Sequence, residues 1–310
     1  MITVLTPSYN RGSLLANLYQ SLLRQDYNNF EWIIVDDGSK DNTSSIVNEF
    51  IQDRKISISY FKQTNGGKHR ALNKGVLEAK GELILIVDSD DTLPDKSLDI
   101  ISHYYLEVKD DSSFAGVCGR MAHHNGTVIG YTNISQNIDI SSIEMRYKYR
   151  FRGDMCEVFK TEVLRDYPFP EIENEKFCPE VLVWNRIARK YKLRFFDQVV
   201  YFRDYLDGGL TSKIVTIRMN SPIASTICYG EMLDLHIPIK DRIKENFNSL
   251  CCEMESCSIV HTCHLNNVGY LALRSISDNA NEEADCDFET FVLESAKVVK
   301  SIILDIIEEI

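Results

Sequence analysis

The sequence predicts an α/β protein: a mainly parallel central sheet with helices on both faces, followed by a C-terminal helical extension. Three observations predict it. Short apolar runs alternate with segments of helical spacing up to about residue 95, polar turn-rich loops close three of those runs, and strand signals fade beyond about residue 216. Strand–helix alternation implies parallel pairing, because two parallel strands need a long crossover between them.

The elements follow in order. Ile2 to Leu5 is an apolar run that ends in the turn-rich Thr6-Pro7-Ser8-Tyr9-Asn10. Leu14, Leu15, Leu18, Leu22 and Leu23 then recur at helical spacing. Trp32 to Val35 is a second strand-like run, closed by Asp36-Asp37-Gly38-Ser39, and Ile46, Val47, Phe50 and Ile51 line the next helical face. Ile56 to Phe61 alternates as a strand does, a helix is expected over about 67–79, and Leu83 to Val87 is the most apolar strand. Between about 115 and 215 the pattern is mixed. Phe114 to Val117, Val128 to Tyr131 and Arg194 to Phe202 read as strands, and Glu180 to Tyr191 reads as a helix. Phe288 to Ile310 carries apolar residues at amphipathic helical spacing.

Composition narrows the function classes. The net charge of −12 argues against non-specific nucleic-acid binding, which needs a positive face. It leaves room for a phosphate-bearing ligand, because a divalent cation can supply positive charge locally. No run approaches the roughly 20 apolar residues of a membrane span, and no basic segment precedes the first apolar run, so no signal peptide is expected. Nine cysteines without regular spacing read as free thiols in a reducing compartment, which makes the cytosol the default.

In open α/β sheets ligands bind beyond the carboxyl ends of the strands. The loops Thr6 to Asn10, Asp36 to Ser39 and Asp88 to Asp91 therefore converge on the place where chemistry is expected. Asp88-Ser89-Asp90-Asp91 is the sharpest feature. Three carboxylates in four residues repel one another unless a cation neutralises them, and Mg²⁺ or Mn²⁺ commonly bridges such oxygens to substrate phosphates. The plainer alternative is a solvated acidic turn or a helix cap leading into Pro94. In Val35 to Thr43, Asp37 could accept from a base N–H and Gly38 permits close backbone approach. The same residues also suit a tight turn with Asp41 or Asn42 capping the next helix. Asn65-Gly66-Gly67 opens a helix beside Lys68 and Arg70, which could meet phosphate oxygens through N–H groups and positive charge.

The four blocks, Thr6-Pro7-Ser8-Tyr9-Asn10, Val35-Asp36-Asp37-Gly38-Ser39, Asn65-Gly66-Gly67 to Asn73-Lys74-Gly75, and Gly81 to Asp88-Ser89-Asp90-Asp91, resemble in order and spacing the inverting family-2 glycosyltransferases of the GT-A fold. The resemblance covers about the first 95 residues. It implies that Pro7, Tyr9 and Asp37 cradle a nucleotide base, usually uracil. It sets Asp88 and Ser89 beside the donor, with Asp88 near the ribose and metal and Asp90 binding Mn²⁺ or Mg²⁺ on the diphosphate. Lys68 and Arg70 lie near the donor. With it the domain reads as 1–215, a nucleotide-binding half at 1–95 and an acceptor half at 96–215, and the fading strand signals leave 216–310 as a helical extension.

An inverting transfer needs a general base for the acceptor hydroxyl. In the family this is an acidic residue at the start of a helix after the acceptor-side strand, often one of a Glu-Asp pair. The matching position here is Glu180 in Phe177-Cys178-Pro179-Glu180-Val181, and Val181 stands where the second acid is usual. Glu180 would equally serve as a helix-dipole partner in a first turn, worth about 0.3–1 kcal/mol. Asp154, in Arg152-Gly153-Asp154, is the reserve candidate for the base. Tyr205 to Thr211 reads either as a loop closing over the donor or as a plain connection. Cys251, Cys252, Cys257, His261, Cys263 and His264 invite a zinc reading, but they lack the tight knuckle spacing of zinc sites.

The expected activity is transfer of a sugar from a nucleotide diphosphate, a UDP-sugar first, to a glycan or lipid-linked acceptor in surface polysaccharide assembly at the cytosolic membrane face. A non-catalytic nucleotide- or glycan-binding protein on the same scaffold is the alternative, supported by the missing second acid. A nucleotidyltransferase would carry a Gly-rich basic loop after the first strand, where Thr6 to Arg11 stands. The 288–310 helix could pack internally, form a homodimer seam or rest peripherally on a membrane. Glu289, Asp305, Glu308 and Glu309 on its polar face disfavour anionic lipid.

Overall fold

A computed structural model describes residues 1–131, 136–204, 214–235 and 237. In chain order the elements are β1 (Ile2–Ser8), α1 (Gly12–Leu23), β2 (Phe30–Asp36), α2 (Thr43–Asp53), β3 (Ile58–Lys62), α3 (Lys68–Glu78), β4 (Leu83–Ile86), α4 (Ser97–Leu106), β5 (Phe114–Ala122), β6 (Ile138–Ile140), α5 (Ser142–Tyr147), β7 (Met155–Lys160), α6 (Thr161–Asp166), α7 (Glu180–Ala188), β8 (Lys192–Phe202), α8 (Ile214–Met219) and α9 (Pro222–Leu233).

One eight-stranded sheet runs in the order β3-β2-β1-β4-β7-β5-β8-β6. The first four neighbours are parallel, β7 is antiparallel to both β4 and β5, β8 is parallel to β5, and β6 closes the far edge antiparallel. Parallel strands covered on both faces read as continuous apolar runs, and every residue of β1 and β2 is indeed buried. Alternation then sorts the side chains. Ile2, Val4, Trp32 and Ile34 join the core with α1 and with Leu98 and Ile101 of α4. Leu5 faces α3, where a Cβ at Gly75 would come 2.1 Å from Leu5 Cδ1, so only glycine admits the close helix–strand contact. On β7 the Phe159 ring lies 4.6 Å from Trp184, which seats α7 against the sheet.

The loops that matter all leave one edge. Those after β1, β2 and β4 emerge side by side at the carboxyl ends of neighbouring strands, at Ser8, Asp36 and Ile86. The expected strand over Val128 to Tyr131 is reduced to two isolated bridges, Ala122–Val128 and Tyr131–Arg152. Gly130, with φ of +72°, bends the chain there, and a Cβ on it would strike the Arg152 carbonyl. Residues Met1–Leu235 form one compact unit that includes α8 and α9. Among the described residues no helix is long and apolar enough to cross a membrane. The 205–211 loop, the cysteine–histidine cluster at 251–264 and the 288–310 helix lie outside the described residues.

Candidate active site

The β1 loop meets the β2 loop through paired hydrogen bonds. Asn10, with φ of +53°, donates its N–H to Ser39 Oγ (2.8 Å) and accepts the Lys40 N–H at Oδ1 (2.8 Å). Pro7 is buried within β1, whereas Tyr9 is 46% exposed, free to offer its ring to a ligand. Asp36 is fully buried. Burial alone would raise its carboxyl, but hydrogen bonds from Ser39 and from the Tyr60 hydroxyl hold it below the usual range.

Asp37 is occupied more fully than the sequence suggested. Its Oδ1 accepts from Gln63 Nε2 (2.9 Å) and the Gly66 N–H (2.8 Å), and its Oδ2 accepts from Asn65 Nδ2 (3.0 Å) and the Gly67 N–H (2.7 Å). A carboxylate has about four lone-pair positions, so here Asp37 shapes the 63–67 loop. Arg70 is likewise engaged by the chain itself. Its guanidinium donates to the carbonyls of Gly66 (2.7 Å), Glu175 (2.8 Å) and Ile172 (2.6 Å), tying the glycine loop to the segment before α7.

Lys68, at the first position of α3, is the centre of the site. Its ammonium lies 2.6 Å from Asp88 Oδ1 and 2.8 Å from Glu180 Oε1. Burial would lower the lysine, but Asp88 and Glu180 more than reverse this and push it up. Burial would likewise raise Asp88, and the Lys68 ammonium outweighs it and draws the carboxyl down. Asp90 forms an ion pair with Arg11, and Ser89 is buried between the two acids. Asp91 turns inward. The buried Tyr201 hydroxyl donates to its Oδ2 (2.7 Å) and accepts the Asp88 N–H (3.0 Å). Desolvation, with the Asp88 charge second, lifts Asp91 to about 7. The reserve candidate Asp154 is paired with Arg203 Nη1 at 2.8 Å.

Asp88, Ser89, Asp90, Lys68 and Glu180 thus come together at the strand ends, while Asp37 and Arg70 build the walls. The acids offer only oxygen donors, the kind of ligand Mg²⁺ and Mn²⁺ prefer, so they suit a divalent cation in kind. Lys68 and Arg11 bring positive charge to Asp88 and Asp90, and among the described residues no three His, Cys, Asp or Glu side chains gather as a metal site. Sequence reasoning missed Arg11, Tyr201 and Glu157. The last is a β7 residue whose carboxyl burial pushes up to about 7, with Glu180 and Asp154 adding to the rise. Arg11 directly follows the first motif block, which is the one signal that could have found it.

The chain is similar in sequence and in fold to known glycosyltransferases. Glycosyltransferase GlyG of Streptococcus pneumoniae serotype 4 is 31% identical over 222 residues, covering 71% of this chain and 69% of the relative. The fold is similar to that of S. aureus TarS 1-349 solved in complex with UDP-GlcNAc, with a TM-score of 0.58 at 21% identity over 79% of this chain and 70% of that one. It is also similar to the mannosyltransferase PcManGT from Pyrobaculum calidifontis solved with GDP-Man and Mn²⁺, with a TM-score of 0.54 at 18% identity over 86% and 79%. A phosphorylase-superfamily model matches residues 208–308, of which only 214–235 and 237 are described. The model for glycosyl transferase family 2 matches residues 3–167, more than half of the chain, and the chain belongs to that family.

Proposed function

We propose that this glycosyltransferase transfers a sugar with inversion from a UDP-sugar to a hydroxyl of a glycan or lipid-linked acceptor, with Glu180 as general base. The observation that carries the reading is the Lys68 bridge. One ammonium joins Asp88, at the end of the donor-side strand β4, to Glu180, at the start of the acceptor-side helix α7. A carboxylate that takes an acceptor proton must face the anomeric carbon held on the donor side, and this bridge holds the two groups within one lysine of each other.

In this reading Pro7 and Tyr9 line the base pocket, Asp37 keeps the 63–67 loop in shape beneath it, and Asp88, Ser89 and Asp90 hold the diphosphate end. A divalent cation held by Asp88 and Asp90 would offset the charge of the departing diphosphate. Glu180 accepts the acceptor proton as the hydroxyl attacks, and the Lys68 contact keeps that carboxylate aimed. The TarS structure with UDP-GlcNAc and the PcManGT structure with Mn²⁺ support a nucleotide-sugar donor and a metal by similarity. A cytosolic setting, peripheral to the inner membrane face for a lipid-linked acceptor in surface polysaccharide assembly, goes with such a donor.

Calorimetric titration with UDP and GDP, each with and without Mn²⁺, tests the donor side, with Asp90→Ala as the control. Micromolar UDP binding that needs both Mn²⁺ and Asp90 is expected. Metal-independent binding would remove the cation from the reading. Absence of binding by either nucleotide would favour the non-catalytic scaffold.

A further inference from the structure

The segment that delivers Glu180 is tied on two sides. On the donor side, Arg70 of α3 donates to the carbonyls of Ile172 and Glu175, and the Lys176 ammonium reaches Asn65 Oδ1 (2.8 Å). On the other side lies α9. Its N-cap residue Ser221 makes no side-chain cap, yet the helix is capped from elsewhere. Glu175 Oε1 accepts the Ile223 N–H (2.7 Å) and Oε2 accepts the Ala224 N–H (2.8 Å). The last turn of α9 is held too. Arg186 of α7 grips Glu231 through Nε (3.0 Å) and Nη2 (2.5 Å), and Arg189 Nη2 donates to the Glu231 carbonyl (2.6 Å).

Glu180 therefore sits between two fixings to the same helix, at Glu175 before it and at Arg186 after it. Pro179 restricts the backbone immediately ahead of Glu180. Glu175 is 5% exposed, its carboxylate spends both oxygens on α9, and its carbonyl is spent on Arg70. A buried carboxylate on two helix N–H groups is a strong, charge-assisted cap. All of it except Arg70 and Asn65 lies beyond residue 167, where the family match ends.

We propose that Glu175 is a positioning residue for the transfer: by capping α9 it fixes the 172–180 segment so that the Glu180 carboxylate stands opposite the donor. This rests on the reading of Glu180 as the base. Glu175 touches neither donor nor acceptor and acts only through Glu180. Loss of the cap lets Glu180 drift without disturbing the Asp37 loop or the β4 acids. A displacement of about 1 Å at a reacting group costs roughly a hundredfold in rate.

The test is steady-state turnover of the full chain with Mn²⁺, read as nucleotide release from UDP-GlcNAc, UDP-glucose or GDP-mannose with water as acceptor, whichever is fastest. Glu175→Gln keeps the shape and removes the charge, and Glu231→Gln cuts the brace at its other end. Both are expected to lower kcat about tenfold to a hundredfold, with nucleotide affinity close to the parent's and Tm lower by only a few degrees, the share of a lost helix cap. On a Glu180→Asp background, where the carboxylate is already withdrawn, Glu175→Gln should add less than about threefold, because effects carried by one group do not multiply. A kcat within twofold of the parent, or a full multiplicative loss on that background, would overturn the positioning role while leaving the base intact. If no donor turns over, or if Glu180→Gln runs at the parental rate, the base reading falls and the proposal falls with it.

Discussion

Lys68 stands 2.8 Å from Glu180 and, with the same ammonium, 2.6 Å from Asp88, so the candidate base and the end of the donor-side strand share one counter-ion. Removing that ion leaves two carboxylates facing each other in a partly buried cleft. Lys68→Met keeps the aliphatic stem and deletes the charge. It is expected to cost about 1–2 kcal/mol of stability, less than a fully buried pair would, because Lys68 is partly exposed. Turnover should fall at least about tenfold, since the base loses the contact that aims it. Urea unfolding and kcat measured on the same preparation check this. An unchanged kcat would mean that the bridge plays no part in the reaction.

Gly67 is the residue that lets the donor and acceptor segments meet. Its backbone sits at φ 101° and ψ 155°, a region only glycine populates readily. A Cβ there would lie 2.0 Å from the Lys176 carbonyl oxygen. Gly67→Ala must therefore both strain the backbone and push the 175–180 segment away. A loss of about 3 kcal/mol or more is expected on denaturant unfolding. Gly126→Ala, where a Cβ would meet nothing within 4 Å, should cost only the backbone share, on the order of 1 kcal/mol. Equal losses at the two glycines would show that the clash with Lys176 is relieved at no cost.

The part of the fold visible in the sequence was the part where burial is simple. β1, β2 and β4 are covered on both faces, so they appear as apolar runs closed by polar turns. β7 was not legible, although it sits in the middle of the sheet. Its residues Met155-Cys156-Glu157-Val158-Phe159-Lys160 mix apolar and charged side chains, and Lys160 is buried only because its ammonium reaches the carbonyls of Lys109 and Asp111. That partnership is tertiary and leaves no local trace.

The same division holds at the site. The acids at 88–91 stood out because a strand end is a position that local pattern can identify, whereas Glu180 stood out as a base only through the family resemblance. Asp37 and Arg70 were legible as polar residues in suitable loops, but their partners were not. Asp37 takes its four donors from residues 63–67, and Arg70 reaches carbonyls a hundred residues away in the chain. Which way a charged side chain turns depends on loops that meet only after folding.

Arg11 occupies Asp90, and a divalent cation at Asp90 would have to displace it. If Asp90 is a metal ligand, Arg11→Gln should tighten Mn²⁺ binding in the absence of nucleotide by about fivefold, close to 1 kcal/mol, the scale of a partly exposed ion pair. Calorimetric titration of both proteins with MnCl₂ measures the change. With UDP present the gain should shrink, since the diphosphate brings negative charge of its own. Unchanged Mn²⁺ affinity in the variant would argue that the ion pair and the metal site do not overlap.

Glu157 supplies a pH test that is independent of any ligand. Desolvation in β7, with Glu180 and Asp154 as neighbouring negative charges and Arg146 opposing them, lifts its carboxyl from the ordinary 4.5 to about 7. An acid whose folded value is raised holds its proton in the native state while the unfolded chain releases it. Its favourable contribution is therefore complete below about 4.5 and is lost as pH rises through about 7. Glu157→Gln mimics the protonated form at every pH. The variant and the parent should differ least near pH 5, and the variant's advantage should grow by on the order of 1–2 kcal/mol by pH 8. Thermal unfolding of both proteins between pH 5 and 8 decides it. If the two curves stay parallel across that range, Glu157 is ionised in the folded protein and the carboxyls of Glu157 and Glu180 do not compete.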